Sequence, residues 1–511
     1  MNKRAFYTNT ALMSGCSLLL RLFGIAFRIL ISGHIGAEGM GLYQLVYSVY
    51  VLGTTFAVGG LITAVTRIAA QRLAAGDKSG VERLMRVCTR ISLLVGGGSA
   101  LVLYGGAPLI GNLMGDTRGV DAIALCGVAL PFIGVSASLK GYFLARRTAW
   151  PPCVSQIIEQ AMRIGVILWM LTALWDGSLE QACVIIIAGD ALSETAACVY
   201  LLLAYRRDRR RWATGQTAPT TSSATLKSLL HIALPLTAGR YLTTALRTVE
   251  NLLVPARLSM YTRSDALALA QFGAVKGMAV PLIFCPSALL MTVSGLLIPE
   301  LSDAHALGQR RQVTRLVEIS LHVTLLGAIY AGGLFTVLGR ELGNLLYGDD
   351  TVGLLLLILG PLTPVMYLDS VANGMLKGLG QQVHSLWYAV ADSAVRIALI
   401  WLLLPRYGLT GFLFVMVVSN LLTCSLSTER LLSVSDTRLQ WGRWVIRPAL
   451  SAGIAGVGCS LLPWEGIFFV VGGGALYTAV YSGFILLLRC FSAEDWRQLT
   501  ARKGQQKTAV G

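Results

Sequence analysis

Apolar residues in this chain run in stretches of about 20 or more between short polar breaks, long enough to cross a hydrocarbon core of roughly 30 Å as helices. Segments such as 354–364 and 484–488 are apolar without alternation, whereas strands of a membrane barrel alternate residue by residue. The pattern predicts an all-α integral membrane protein with about fourteen transmembrane helices. They fall near 10–33, 40–68, 87–106, 121–145, 152–175, 181–205, 229–255, 266–299, 316–339, 353–376, 384–404, 409–429, 444–462 and 467–488.

The most polar stretch, RRDRRRWATGQTAPTTSSATLKS at 206–228, has the charge run and Thr/Ser/Ala/Gly content of a linker. Six spans precede it and eight follow. The expected organisation is an N-terminal six-helix lobe (1–205), a basic cytoplasmic linker (206–228) and a C-terminal six-helix lobe (229–435). Helices 13 and 14 (436–490) and a cytoplasmic tail (491–511) complete it.

Composition agrees with this class. The chain is 55% hydrophobic and only 13% charged, with mean hydropathy +0.65, whereas soluble domains carry about 25% charged residues. Its net charge of +16 would suit a nucleic-acid partner, but distribution argues against one. With a cytoplasmic N-terminus, about 29 of the 42 Lys and Arg fall on the inner side, counting those at span ends with the nearest loop. Only Arg118, Arg257, Arg263, Arg340 and Arg406 fall outside. That asymmetry is the positive-inside rule, and it predicts an even span count with both termini cytoplasmic. The basic N-terminus leads into a long span without a small-residue cleavage site, so it reads as a retained helix. The ten cysteines are scattered without metal-ligand spacing and read as small packing residues. No catalytic residues, metal site or cofactor are expected.

The two halves resemble each other. EQAMRIGVILW (159–169) and DSAVRIALIW (392–401) both place an acid four residues before Arg-Ile and end in Trp. Arg21 and Arg28 recur as Arg240 and Arg247; Leu-Lys-Gly at 139–141 recurs at 376–378, each time after a proline. The offsets are 233, 219 and 237 residues. A six-span repeat keeps the same orientation, so the halves are related by an axis along the membrane normal. Prolines within spans (Pro131, Pro235, Pro281, Pro286, Pro361, Pro364) free backbone groups and permit bends.

An ionisable side chain at mid-bilayer costs about 2.5–3.5 kcal/mol on insertion scales and usually faces a cavity or a partner. Arg21 and Arg28 share a helix face about 10 Å apart, without an acid at three or four residues' distance. Arg240 and Lys276 also lack a local acid, while Arg247 has Glu250 three residues on. Together Arg21, Arg28, Arg240, Arg247 and Lys276 are candidate cavity cations for an anionic substrate such as a phosphate ester. The competing reading is that Arg21 snorkels to the interface and the others pair with neighbouring helices. Glu159/Arg163 and Asp392/Arg396 are each four residues apart and read first as structural pairs within one helix face. Asp190 and Glu194 share a face, and Asp369 on the tenth span is a similar candidate. For these acids, coupling to a cation or proton competes with pairing to a neighbouring helix or the inner interface.

RLFGIAFRI (21–29), GAEGMGLYQL (36–45) and GGLITAVTRIAAQ (59–71) resemble the opening of the polysaccharide-exporter family, particularly its stage V sporulation protein B branch. That family lies in the superfamily of multidrug extruders and oligosaccharidyl-lipid flippases. The resemblance spans essentially the whole chain and implies a V-shaped bundle of two six-helix lobes plus a C-terminal helix pair. It implies a flippase that carries an undecaprenyl-linked oligosaccharide or peptidoglycan precursor from the inner to the outer leaflet of a bacterial cytoplasmic membrane. The implied partners are that lipid-linked glycan, membrane lipids, and cell-wall or polysaccharide synthesis enzymes. Similar lipid II flippases use cavity arginines on spans 1 and 8 and a lipid-tail groove at spans 13 and 14. Here the span 1 residues correspond to Arg21 and Arg28. Ile29 stands where those flippases carry an acid, and the arginine spacing is one residue longer. A multidrug or cation antiporter of the same superfamily is the alternative, disfavoured by two extra spans and by the cations. A glycan polymerase would need an extramembrane catalytic loop or paired surface carboxylates, which the sequence lacks.

Overall fold

A computed structural model describes residues 3–212, 222–463 and 465–490. The middle of the expected linker (213–221) and the tail from 491 onward therefore lie outside the described residues. Those described are helical almost throughout, with no strand among them. The first half contains α1 (Lys3–Val58), α2 (Leu61–Ala74), α3 (Lys78–Met114), α4 (Val120–Ala145), α5 (Trp150–Leu174) and α6 (Leu179–Trp212). Next come α7 (Ser222–Thr262) and α8 (Asp265–Phe272), which runs through a π-helical turn (Gly273–Ala279) into α9 (Val280–Ile283). They are followed by α10 (Ser287–Ala306), α11 (Arg310–Tyr347), α12 (Asp350–Leu359), α13 (Thr363–Gly378) and α14 (Gln382–Ser435). The last are α15 (Arg447–Ser460), α16 (Gly466–Phe468) and α17 (Gly474–Leu487).

Among the described residues, ten helices are long and apolar enough to cross a membrane. Two of the ten, 15–74 and 382–435, hold 60 and 54 residues, about 80–90 Å of helix against a core of roughly 30 Å. Both contain a break in helical geometry, at Gly36 and Gly408. Helix count and span count therefore differ. The apolar surface confirms the setting. On α3, Leu94 and Leu101 are each 75% exposed, a pattern that water penalises over an area this large and lipid does not.

The repeat is written into the turns. Ten of the fourteen described residues with positive φ pair across the halves: Gly36 with Arg263, Gly76 with Gly308, Gly115 with Gly348, Arg147 with Gly380, and Gly177 with Gly408. Their offsets (227, 232, 233, 233 and 231 residues) bracket the 233 residues that separate Arg163 from Arg396. Helix contacts repeat too. A Cβ on Gly96 would lie 2.6 Å from Pro131, and one on Gly332 would lie 3.1 Å from Pro364. Gly127 packs on Ala100 as Gly360 packs on Thr336. Two glycine approaches at matched positions bring the third and fourth helices of each half together.

The described chain divides into two compact units. The first comprises Met1–Met278 and Ala389–Val415, the second Ala279–Tyr388 and Met416–Gly511. In the first, Val65, Ile68, Val81, Leu84, Met85, Leu139, Tyr142 and Leu201 form a buried core between α2, α3, α4 and α6. In the second, Leu301, Val313, Val317, Leu321, Val371, Met375, Leu376 and Leu431 do the same. There α15 and α17 also pack on α11 through Ile329, Ala455, Tyr477 and Tyr481. None of the ten cysteines forms a disulfide among the described residues, and nine of them are buried.

Candidate functional site

The first unit gathers its buried charges into two clusters. Their placement starts with backbone contact between α1 and α8. A Cβ on Gly41 would lie 2.1 Å from the Leu269 carbonyl oxygen, and one on Gly273 would lie 2.1 Å from that of Ala37. Such an approach is open only to glycine. Directly after it, residues Gly273–Ala279 form a π-helical turn, a local widening common at functional sites. Lys276 sits on this turn.

Helix α7 is held along α1 by polar contacts on successive turns. Thr237 Oγ1 accepts from the Gly60 amide at 2.7 Å, and Tyr241 Oη donates to the Phe56 carbonyl at 3.2 Å. Thr248 Oγ1 donates to the Ser48 carbonyl at 3.3 Å, and Asn251 Nδ2 to Ser48 Oγ at 2.9 Å. Between the last two, Glu250 meets two cations from distant sequence. Its Oε1 accepts from Lys276 Nζ at 3.3 Å and from Arg396 Nη2 at 2.5 Å. Asp392 reaches Arg396 Nη1 at 4.0 Å. The Glu250 side chain is 3% exposed, whereas Lys276 and Arg396 are 22% and 17% exposed. Arg28 Nη1 donates to the carbonyl of Gly277 at 3.4 Å, which brings a third cation to the peptide beside Lys276.

The second cluster joins α4, α5 and α6. Arg163 donates from Nε to Asp190 at 2.6 Å, from Nη1 to Gln160 at 2.7 Å and from Nη2 to Glu159 at 3.1 Å. Lys140 Nζ lies 3.9 Å from the other oxygen of Glu159. Every nitrogen of this guanidinium is used. Arg396, its counterpart in the second half, is not so served: its Nε is buried without a hydrogen-bond partner.

The candidates from sequence thus separate. Both expected pairs form within their helices, but each arginine's closest carboxylate lies on another helix, Asp190 for Arg163 and Glu250 for Arg396. Lys276 is paired rather than free. Arg240 is exposed and reaches only the Gly59 carbonyl, at 3.5 Å. Arg21 and Arg247 are exposed and make no ion pair or hydrogen bond among the described residues. Glu194 is half-buried and makes no ion pair among the described residues. In the second unit, Asp369 Oδ1 accepts from Asn373 at 2.8 Å and from Ser427 at 3.1 Å. Sequence reasoning passed over Glu250 and Arg396 as site residues. One signal was available, the small-xxx-small spacing of Gly273 and Gly277 around Lys276, which marks close helix packing.

Outside the spans, Arg118 binds Asp116 at 2.8 Å and Glu38 at 2.8 Å. Hydrogen bonding to Asp116, then to Glu38, raises its basicity further despite partial burial.

Comparison with known proteins places this geometry. A family described as "Polysaccharide biosynthesis protein" matches residues 6–305. Stage V sporulation protein B of Bacillus subtilis (strain 168) is 23% identical over 423 residues, 80% of this chain and 80% of that protein. Lipid II flippase MurJ of the same organism is 26% identical over 174 residues, 32% of each chain. Among solved structures, lipid II flippase MurJ in an inward closed conformation superposes with a TM-score of 0.74 at 14% identity, covering 94% of this chain and 99% of that one. An inward-facing multidrug resistance transporter of the MATE family gives a TM-score of 0.65 at 13% identity, covering 82% and 96%. The fold is that of membrane transporters and flippases.

Proposed function

The chain belongs to the polysaccharide biosynthesis protein family, and from that premise we propose that it is a flippase for an undecaprenyl-linked oligosaccharide or peptidoglycan precursor. It carries the headgroup from the inner to the outer leaflet by alternating access, with both termini cytoplasmic. No bond is made or broken. The observation that carries this reading is the convergence of Arg28, Lys276 and Arg396 on one buried neighbourhood. Cations inside a membrane are costly unless they serve a path or a partner. A diphosphate offers paired oxygens to a guanidinium fork, which an ammonium cannot match bidentately. Exposed Arg21, Arg240 and Arg247 belong to the approach rather than to the binding point. Glu159 and Asp190 belong to the framework that fixes α5 against α6.

The test is flipping of a fluorescent undecaprenyl diphosphate oligosaccharide by the purified chain in liposomes. Arg28→Ala and Arg396→Ala abolish flipping in folded protein, and Arg28→Lys lowers it by about tenfold although charge is kept. Normal flipping by a folded Arg28→Ala/Arg396→Ala double variant rejects the cationic site. Export of organic cations without glycolipid flipping makes the chain an antiporter instead.

A further inference from the structure

We propose that Glu250 is an internal stand-in for the substrate's phosphate, occupying Lys276 and Arg396 when the site is empty and leaving them when a diphosphate ester binds. This rests on the flippase reading above and names the residue that tunes affinity at its site.

Three observations carry it. First, one carboxylate oxygen serves two cations: Lys276 Nζ at 3.3 Å and Arg396 Nη2 at 2.5 Å both donate to Glu250 Oε1. A single −1 group is thus shared between two charges that a diphosphate, with more charge and more oxygens, satisfies separately. Second, Glu250 takes Arg396 through Nη2 alone and leaves Nε buried without a partner. Buried donors are nearly always met, and the Nε–Nη2 edge is the fork that binds phosphate bidentately. In the first half, Arg163 has Nε, Nη1 and Nη2 all engaged, so an arginine here is saturated where its task is structural. Third, the carboxylate lies deeper than its cations, at 3% exposure against 22% and 17%. A ligand meets Lys276 and Arg396 before it meets Glu250.

The physical use of such a group is release. A transporter's site must bind well enough to load and weakly enough to unload. Three unquenched cations in a membrane interior would hold a diphosphate too long. A tethered carboxylate competes at a fixed effective concentration and recaptures the cations as the headgroup leaves.

The experiment compares binding of inorganic pyrophosphate to the wild-type chain and to Glu250→Gln, each in nanodiscs, by calorimetry. The glutamine keeps size and removes charge. The expected result is binding at least about tenfold tighter in Glu250→Gln, since a unit charge in direct contact with the cations is removed. Flipping by the same variant falls, because release slows. Unchanged or weaker pyrophosphate binding in folded Glu250→Gln overturns the stand-in role. If Lys276→Gln and Arg396→Gln then still abolish binding, the cationic site itself survives. No binding to either wild type or Glu250→Gln overturns both. Undecaprenyl diphosphate in the same nanodiscs distinguishes a lipid headgroup from a free anion, and tightening for pyrophosphate alone overturns the lipid as occupant. If Glu250→Gln does not fold, carbodiimide labelling of the wild-type chain replaces it. Pyrophosphate then raises modification of Glu250 at least about twofold as the carboxylate leaves its cations, and unchanged or reduced labelling overturns the proposal.

Discussion

Arg163 offers the sharpest test of how buried charge is arranged here. Replacing it with alanine removes the 2.6 Å bond to Asp190 and the 3.1 Å bond to Glu159. Glu159 retains Lys140 at 3.9 Å, but Asp190 loses its ion-pair partner while its side chain is 3% exposed. Breaking a buried pair by removing one member costs about 3–5 kcal/mol, mostly the penalty of the charge left behind. At roughly 2–4 °C per kcal/mol for domains of a few hundred residues, Arg163→Ala lowers the melting temperature of the detergent-solubilised protein by about 10 °C. Tryptophan fluorescence during heating reads it directly. Adding Asp190→Asn removes the orphaned charge and recovers most of the loss. Arg396→Ala behaves differently, because Glu250 keeps Lys276 at 3.3 Å and Arg396 Nε had no partner to lose. Its destabilisation is less than half that of Arg163→Ala. Equal destabilisation by the two substitutions, or a melting point within about 2 °C of wild type for Arg163→Ala, refutes the reasoning.

Gly273→Ala places a Cβ 2.1 Å from the Ala37 carbonyl oxygen, whereas Gly277→Ala meets side chains alone, Met40 at 3.1 Å and Gln44 at 3.6 Å. The first therefore costs about 1–3 kcal/mol and impairs flipping by shifting Lys276, while the second is near neutral; thermal melting and the flipping assay check both. Single cysteines at positions 209 and 349, probed with an impermeant maleimide in intact cells, label from opposite sides of the membrane, as the charge asymmetry predicts. Labelling of both from outside removes that topology. Arg118→Ala, which breaks the partly exposed contacts to Asp116 and Glu38, changes stability by no more than about 1 kcal/mol and leaves flipping intact.

What the sequence disclosed depended on the range of each interaction. Apolar runs and the Arg-Ile-…-Trp repeat are local patterns, so the membrane helices and the duplication were legible from them. The two pairs four residues apart form as expected because helix geometry guarantees their proximity. Glu250 was not legible. Its partners lie 26 and 146 residues away, and its nearest cation in sequence, Arg247, is exposed and makes no ion pair among the described residues. For Asp190, pairing to a neighbouring helix is one of the two sequence readings, but its partner Arg163 stands on the preceding helix, 27 residues back, where no local pattern names it. The five candidate cations resolve into one paired lysine, one arginine bonded to a carbonyl beside it, and three exposed arginines. Burial made that distinction, and composition carries no information about burial at single residues.

Duplication sharpens the contrast between the two clusters. Arg163 and Arg396 occupy matching places in halves whose turns agree to within a few residues, and each keeps its acid one helical turn before it. A purely structural role would preserve the rest of the environment as well. Instead the first arginine is closed off by Asp190 and Gln160. The second faces a carboxylate from α7 that it must share with a lysine on a π-helical turn. The lysine that shares the carboxylate sits on the π turn, and that turn begins at Gly273, packed against Gly41, so the departure from symmetry involves several residues. An arrangement that spends this much close packing to leave one guanidinium incompletely satisfied is better suited to exchanging partners than to holding one. On the proposed reading, the first half supplies a rigid charged framework and the second supplies the group that lets go.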